Sequence, residues 1–183
     1  DSVGAIAFYD VHDPAKIRYL GQLALPSVPL HVAVKGSTLF VALGDKGIAS
    51  YDLKQWKAGG CVELSTVGRN VGTGGYCQGA DAFGDKLLTA NGEAGVLMQL
   101  IQTRKTIVTK TFAQLGVVNQ VRLLGDGTYA ACWIADSLAD SLVIIQTADG
   151  KKVASLPGPF GHQLVGAWQG KVVCARDDKT GFD

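Results

Sequence analysis

Charge of one sign is missing from this chain: Lys and Arg number 17 against 16 Asp and Glu in 183 residues, a formal net charge of +1. No net field exists to steer nucleic acid or an anionic membrane surface, so neither is expected as a partner. Long apolar runs are also missing. Stretches such as Leu142 to Ile145 and Val172 to Cys174 fall far short of the roughly 20 residues a membrane helix needs, so a soluble chain with no membrane span is expected. Aromatic residues make up only 8%. Trp56, Trp133 and Trp168 stand singly, without interleaved basic residues, which excludes a stacking platform for single-stranded nucleic acid and reads all three as core. The sequence contains no Ser-His-Asp order, nucleophile elbow, P-loop or dinucleotide-binding glycine pattern in strand-to-helix context. Gly72-Thr-Gly-Gly75 is rich in glycine, but no helix start follows it to direct N–H groups at a phosphate. No catalytic residue and no cofactor is expected, and the reading leans away from an enzyme.

Cysteine is scarce, at four residues, and none forms the CxxC pair of a zinc or thioredoxin-type site. Cys61 and Cys77 bracket the Gly-rich segment Val62 to Tyr76, so a Cys61–Cys77 disulfide is the natural expectation. It would close a loop of about 15 residues and contribute roughly 3 kcal/mol in an oxidising compartment; two unrelated buried thiols is the competing reading. Cys132 and Cys174 sit inside apolar strand patterns, where a free thiol behaves as a small hydrophobe. The chain opens on Asp1 with no basic-then-apolar leader, which suggests a processed mature protein or a piece of a longer one.

What is abundant is glycine, at 24 residues, in a 47% apolar background, and it recurs with a period. Gly36-Ser-Thr-Leu-Phe-Val-Ala-Leu-Gly-Asp-Lys-Gly-Ile48 aligns without gaps on Gly84-Asp-Lys-Leu-Leu-Thr-Ala-Asn-Gly-Glu-Ala-Gly-Val96, an offset of 48 residues. Each reads as turn, strand, tight Gly-x-x-Gly turn, next strand. Ile6-Ala-Phe-Tyr-Asp-Val11 returns as Ile48-Ala-Ser-Tyr-Asp-Leu53, and looser copies follow at Gly125 to Trp133 and Gln169 to Ala175. A period of about 40 to 50 residues built from short β-runs and Gly/Asp turns matches an all-β propeller of four-stranded antiparallel blades. Helical repeats fit poorly, because His31-Val-Ala-Val-Lys and Thr38-Leu-Phe-Val-Ala are rich in β-branched or aromatic residues and bounded by Gly or Pro. Even Gly95 to Lys110 reads as two strands with a turn near Thr103-Arg104-Lys105. One domain of about four blades is expected, over residues 30–78, 79–119, 120–162, and 163–183 joined to 1–29. The half-blades at the two ends are complementary. They suit either a small closed ring or a piece of a larger propeller completed by another chain.

Gly4-Ala-Ile-Ala-Phe-Tyr-Asp-Val-His-Asp-Pro-Ala-Lys-Ile-Arg-Tyr-Leu-Gly21 and the segment Val32 to Leu53 resemble repeats of the LVIVD family. The family's unit runs apolar strand, Gly turn, aromatic-Val-Ala strand, Gly-x-x-Gly-hydrophobic, then an Asp-Val-x-Asp-Pro turn. The likeness covers about the first 53 residues and fades after Gly95, where Gln99-Leu100 replaces the Tyr-Asp pair and no Asp-Pro follows. The resemblance implies a propeller in an extracytoplasmic setting (periplasmic, secreted or cell surface) and no assigned activity. Asp10, Asp13 and Asp52 read as turn residues that accept backbone N–H groups, and His12 as a surface residue of the same turn.

In a propeller the first strand of each blade lines the central channel, so the residues that open those strands converge on one mouth. Here they are polar: His31, then Gln78, then Asn119 with Gln120, then His162 with Gln163. Imidazole and amide groups offer donors and acceptors for an ion, a water cluster or a polar ligand. Two histidines without a carboxylate are too few to define a metal site, and the blander reading has these side chains satisfying backbone groups and water at a wet mouth. The expected function is a non-enzymatic module that contacts other protein chains. The rival is an enzyme or a ligand- or metal-binding protein that uses His31 and His162 at the mouth.

Overall fold

The computed structural model describes residues 4–55, 75–102, 105–135, 141–157, 163–168 and 171–175, and it is an all-β propeller. Strands β1 (Gly4–Asp10) and β2 (Arg18–Leu25) pair as one hairpin. Blade 1 follows with β3 (His31–Lys35), β4 (Thr38–Ala42) and β5 (Ile48–Asp52). Blade 2 holds β6 (Gly79–Phe83), β7 (Lys86–Ala90), β8 (Val96–Gln102) and β9 (Lys105–Phe112) in that order. Blade 3 repeats the arrangement with β10 (Val118–Leu124), β11 (Tyr129–Ile134), β12 (Ser141–Gln146) and β13 (Lys152–Pro157). A last hairpin joins β14 (Gln163–Trp168) to β15 (Lys171–Ala175). All ladders among the described residues are antiparallel. The hairpins β1–β2 and β14–β15 belong to separate two-stranded sheets.

Successive side chains of a strand point to opposite faces of its sheet, and in this stack both faces meet another blade. That is why β4 and β7 read as near-continuous apolar runs, with Leu39, Phe40, Val41 and Ala42, and Leu87, Leu88 and Ala90, all buried. The core is therefore a series of layers between sheets. Ile6, Phe8, Leu23 and Leu25 pack on Leu39, Val41, Ala49 and Tyr51. Phe40, Ala42 and Ile48 meet Ala80 and Leu87; Leu88, Ala90 and Val96 meet Val121, Leu123, Ala130 and Cys132. Ala131 and Trp133 meet Val172 and Cys174. Each layer buries apolar area that no single sheet could remove from water alone. Strand β13, the outer edge of blade 3, is exposed throughout.

The 48-residue offset has a definite structural content. Gly44 exchanges both backbone hydrogen bonds with Cys77, and Gly92 does the same with Val118, so each Gly-x-x-Gly turn ties its blade to the segment that opens the next. Gly44 and Gly92 adopt φ of +60° and +57°, left-handed values that glycine takes at little cost. A Cβ on Gly44 would also lie 2.8 Å from the Tyr76 ring.

Cys77 is a free, fully buried thiol, which corrects the expected Cys61–Cys77 disulfide; Cys61 lies outside the described residues. Its place in the Gly44 bridge puts the sulfur in the layer between blades 1 and 2. There the Sγ–H points to the Gly79 carbonyl at 3.9 Å, and burial pushes the thiol pKa up to about 12. Cys132 is buried and Cys174 half-buried, each packed in an apolar layer. The turn aspartates behave as their sequence contexts suggest. Asp10 accepts from the His12 N–H at 3.0 Å, Asp13 from Ala15 at 3.0 Å and Asp52 from Lys54 at 2.9 Å.

Candidate functional site at the propeller axis

The inner strands β3, β6 and β10 come together because each opens its blade, and the segments that open β6 and β10 are bridged to the preceding blade. An inner strand has a partner on one edge only, so its other edge presents unpaired backbone groups to the axis. Side chains from neighbouring blades meet that requirement here. Asp81, in the middle of β6, accepts from the Leu123 N–H of β10 at 2.7 Å through Oδ2 and from the Ala82 N–H at 2.9 Å through Oδ1. Gln78, just ahead of β6, donates from Nε2 to Asn119 Oδ1 of β10 at 3.1 Å.

Arg122 of β10 reaches across the axis to blade 1. Its Nη1 donates to the Val121 carbonyl at 2.9 Å, and its Nη2 lies 2.8 Å from His31 Nε2. A guanidinium has donors only, so Nε2 must be the acceptor and the neutral ring carries its proton on Nδ1. The approach of the Ala80 N–H to Nδ1 at 3.4 Å is then a meeting of two donors and not a hydrogen bond. Burial first, and the Arg122 charge second, hold the His31 pKa down at about 4. Burial pushes the Asp81 carboxyl above its ordinary value, against the opposing pull of the Leu123 N–H and of Arg122. Burial also lowers Arg122, while Asp81 holds it up. The three residues form one electrostatic unit contributed by three blades: a neutral acceptor, a cation and an anion.

The sequence-predicted residues are thus placed as follows. Gln78 and Asn119 meet directly, His31 joins Arg122, and Gln120 lies half-buried on β10 opposite Trp133. Gln163 opens β14, its side chain outside the description, and His162 lies outside the described residues. Sequence reasoning missed Asp81 and Arg122. Both were visible as a lone charge within a short apolar strand pattern, Gly79-Ala-Asp-Ala-Phe83 and Val118-Asn-Gln-Val-Arg-Leu-Leu124. A buried charge is retained only when it is paired. Among the described residues no group of three His, Cys, Asp or Glu side chains gathers as metal ligands would, and no helix is long and apolar enough to cross a membrane. A surface recess of about 620 Å³ lies away from the axis at the β1–β2 turn. Its charged lining is already engaged, with Arg18 bonded to Asp10 at 2.5 Å.

No family model matches the chain, and no curated protein matches it by sequence. Solved structures do match by fold. The hydrazine synthase of Kuenenia stuttgartiensis is 16% identical with a TM-score of 0.64, covering 84% of this chain and 43% of its own. Hsv2 of Kluyveromyces lactis is 18% identical with a TM-score of 0.58, covering 90% and 51%. The computationally designed protein Ika4 is 13% identical with a TM-score of 0.59, covering 85% and 91%. The chain therefore spans about half the length of the first two. At these identities the likeness shows the fold alone.

Proposed function

We propose that this chain is a non-enzymatic binding and assembly module that contacts other protein chains through the two ends of its stack of blades. Its extracytoplasmic placement follows the LVIVD resemblance of residues 4–53, with the free Cys77 thiol removing the disulfide as support. The observation that carries the reading is the distribution of apolar exposure. Tyr9 and Tyr19, whose rings lie 5.6 Å apart, and Val32 and Val34 are 46–56% exposed on strands β1, β2 and β3, and clusters of exposed apolar side chains are what an interaction surface presents. The polar groups of the axis, by contrast, largely satisfy one another and brace the blades. Sedimentation velocity across a concentration series tests the reading. Association of the wild-type chain that is lost in a Val32→Glu/Val34→Glu variant is expected; a wild-type monomer at every concentration contradicts it.

A second reading, ligand binding at the axis, draws on one observation: Arg122 and the His31 Nδ1–H are donors from two blades, a pair suited to an anion. Phosphate or carboxylate binding that titrates calorimetrically and disappears in His31→Ala would favour it.

A further inference from the structure

We infer that the joint between blades 1 and 2 is where this stack parts: the β1–β2 hairpin and blade 1 separate as one unit from blades 2 and 3, uncovering the layer between them while the layers on either side stay closed. The inference goes beyond the binding role proposed above and does not depend on it.

The repeat supplies the first argument. At the offset of 48 residues, Val41, Leu43 and Tyr51 of blade 1 correspond to Thr89, Asn91 and Gln99 of blade 2. The blade 1 residues fill the apolar layer against β1–β2. Their blade 2 counterparts are just as buried, and strand alternation turns Thr89 and Gln99, with Leu87 and Ile101, to the layer against blade 1. Ser50, also buried, faces that layer from the other side, opposite Phe40 in the ladder. In blade 3 the matching ladder places hold Cys132, Ile134 and Ile145, which pack in the layer against blade 2. Of these three layers, the one between blades 1 and 2 is where the same places are polar.

Burial leaves part of that polarity unmet, which is the second argument. Asn91 Nδ2 donates to the Thr89 carbonyl and to Thr89 Oγ1 at 2.9 and 3.0 Å, but Asn91 Oδ1 and both amide atoms of Gln99 are buried without a hydrogen-bond partner. Such a group loses its hydration on burial, and each one favours opening by about tenfold or more. Parting the joint rehydrates all of them. Gln99 pairs with Leu87, toward the end of β7 away from Asn91, so the unmet polarity is spread along the layer and no single small ligand meets both residues.

Side-chain ties give a third argument. Blades 2 and 3 are joined by Asp81 to the Leu123 N–H, by Gln78 to Asn119, by Lys86 to the Gly127 carbonyl at 3.0 Å and Thr147 Oγ1 at 3.3 Å, and by Lys110 to the Ala148 carbonyl. Between blades 1 and 2 the described side chains contribute the Lys35 ammonium, 5.4 Å from the centroid of the exposed Phe83 ring, a weak contact in water. The Gly44–Cys77 bridge is matched by the Gly92–Val118 bridge, so the backbone does not distinguish the two joints. Parting also breaks the contact of His31 with Arg122, whose guanidinium keeps the Val121 carbonyl.

Two buried thiols report on the two joints. Cys77 lies in the layer between blades 1 and 2, and Cys132 in the layer between blades 2 and 3. The test is iodoacetamide labelling of the full chain at urea concentrations below the unfolding transition, read by peptide mass spectrometry, with each rate divided by that of the same thiol in the unfolded chain. Slow as both are, Cys77 should react at least about tenfold faster than Cys132. Gln99→Leu removes the unmet amide at the end of the ladder remote from Cys77 and should slow Cys77 by about tenfold. Ile145→Val, which loosens the layer between blades 2 and 3, should speed Cys132 and leave Cys77 unchanged. Equal corrected rates would overturn the inference, because both thiols would then be reached by unfolding of the whole chain. So would a fast Cys77 that Gln99→Leu does not slow, since only the segment around that thiol would be opening, and so would Ile145→Val speeding both thiols alike.

Discussion

Replacing Tyr51 with alanine should be far more costly than the same change at Tyr9, although the two tyrosines occupy equivalent places in the sequence repeat. A tyrosine side chain carries about 150–250 Å², and at about 25 cal/mol per Å² complete burial is worth about 4–6 kcal/mol. The compactness of the unfolded chain trims this to about 3–4 kcal/mol for Tyr51, which is 6% exposed. For Tyr9, 56% exposed and with its ring 5.6 Å from that of Tyr19, the same arithmetic gives about 1–2 kcal/mol. In a chain of this length the Tyr51→Ala loss corresponds to a fall in Tm of about 6–16 °C. Urea unfolding followed by tryptophan fluorescence, at concentrations low enough to keep the chain monomeric, measures both. Equal losses at the two sites would refute the claim that the neighbouring sheet, and not the local sequence, buries the residue.

His31 gives a pH prediction. Its folded pKa of about 4 lies below the ordinary 6.5, so the unfolded chain binds the extra proton: the contribution is complete above pH 6.5 and is lost as pH falls toward 4. The full gap is worth at most about 3 kcal/mol, which solvent reaching the half-buried ring reduces to about 1–2 kcal/mol. Asp81, raised by burial, acts in the opposite sense, so the quantity to measure is the difference between wild type and His31→Gln from pH 4 to 7; a constant difference contradicts the assignment. Asp81→Ala leaves the Leu123 N–H without its acceptor and Arg122 without its counter-charge, and should cost about 2–3 kcal/mol in urea unfolding. Gly44→Ala combines positive φ with a 2.8 Å approach to Tyr76 and should cost about 2 kcal/mol or more. Cys77 and Cys132, both buried with pKa pushed up to about 12, should resist iodoacetamide in the native protein and react in urea, as peptide mass spectrometry would show.

The fold class was legible because its physics is local and repeated. Short β-branched runs bounded by glycine turns at offsets of 42 and 48 residues specify hairpins that cannot bury two faces alone. The stretch from Gly95 to Lys110 was readable as two strands from its Thr and β-branched content, and β8 and β9 pair there. The turn roles of Asp10, Asp13 and Asp52 followed from the same local logic. Cys77 was misread because loop length says nothing about where a thiol packs. What buries it is the bridge to Gly44, 33 residues earlier in the chain. The axis was half legible: strand-opening polar residues pointed to Gln78 and Asn119, which do meet. Asp81 and Arg122 escaped because a charge inside an apolar strand shows its meaning only when the edge N–H and the imidazole it serves are known, and both lie on other blades. The opposite exposure of Tyr9 and Tyr51 is likewise invisible in their matching Ile-Ala-x-Tyr-Asp contexts, since it depends on which sheet stands beside each.

The central claim, that the repeats stack radially with each Gly-x-x-Gly turn bonded to the opening of the next blade, is most directly tested by amide-to-amide NOEs in a ¹⁵N-resolved spectrum of the labelled chain. Cross-peaks joining Gly44 to Cys77 and Gly92 to Val118 are predicted, since each pair exchanges both backbone hydrogen bonds. Their absence in an otherwise assigned and folded spectrum, or contacts placing the hairpins face to face in two layers, would contradict the account.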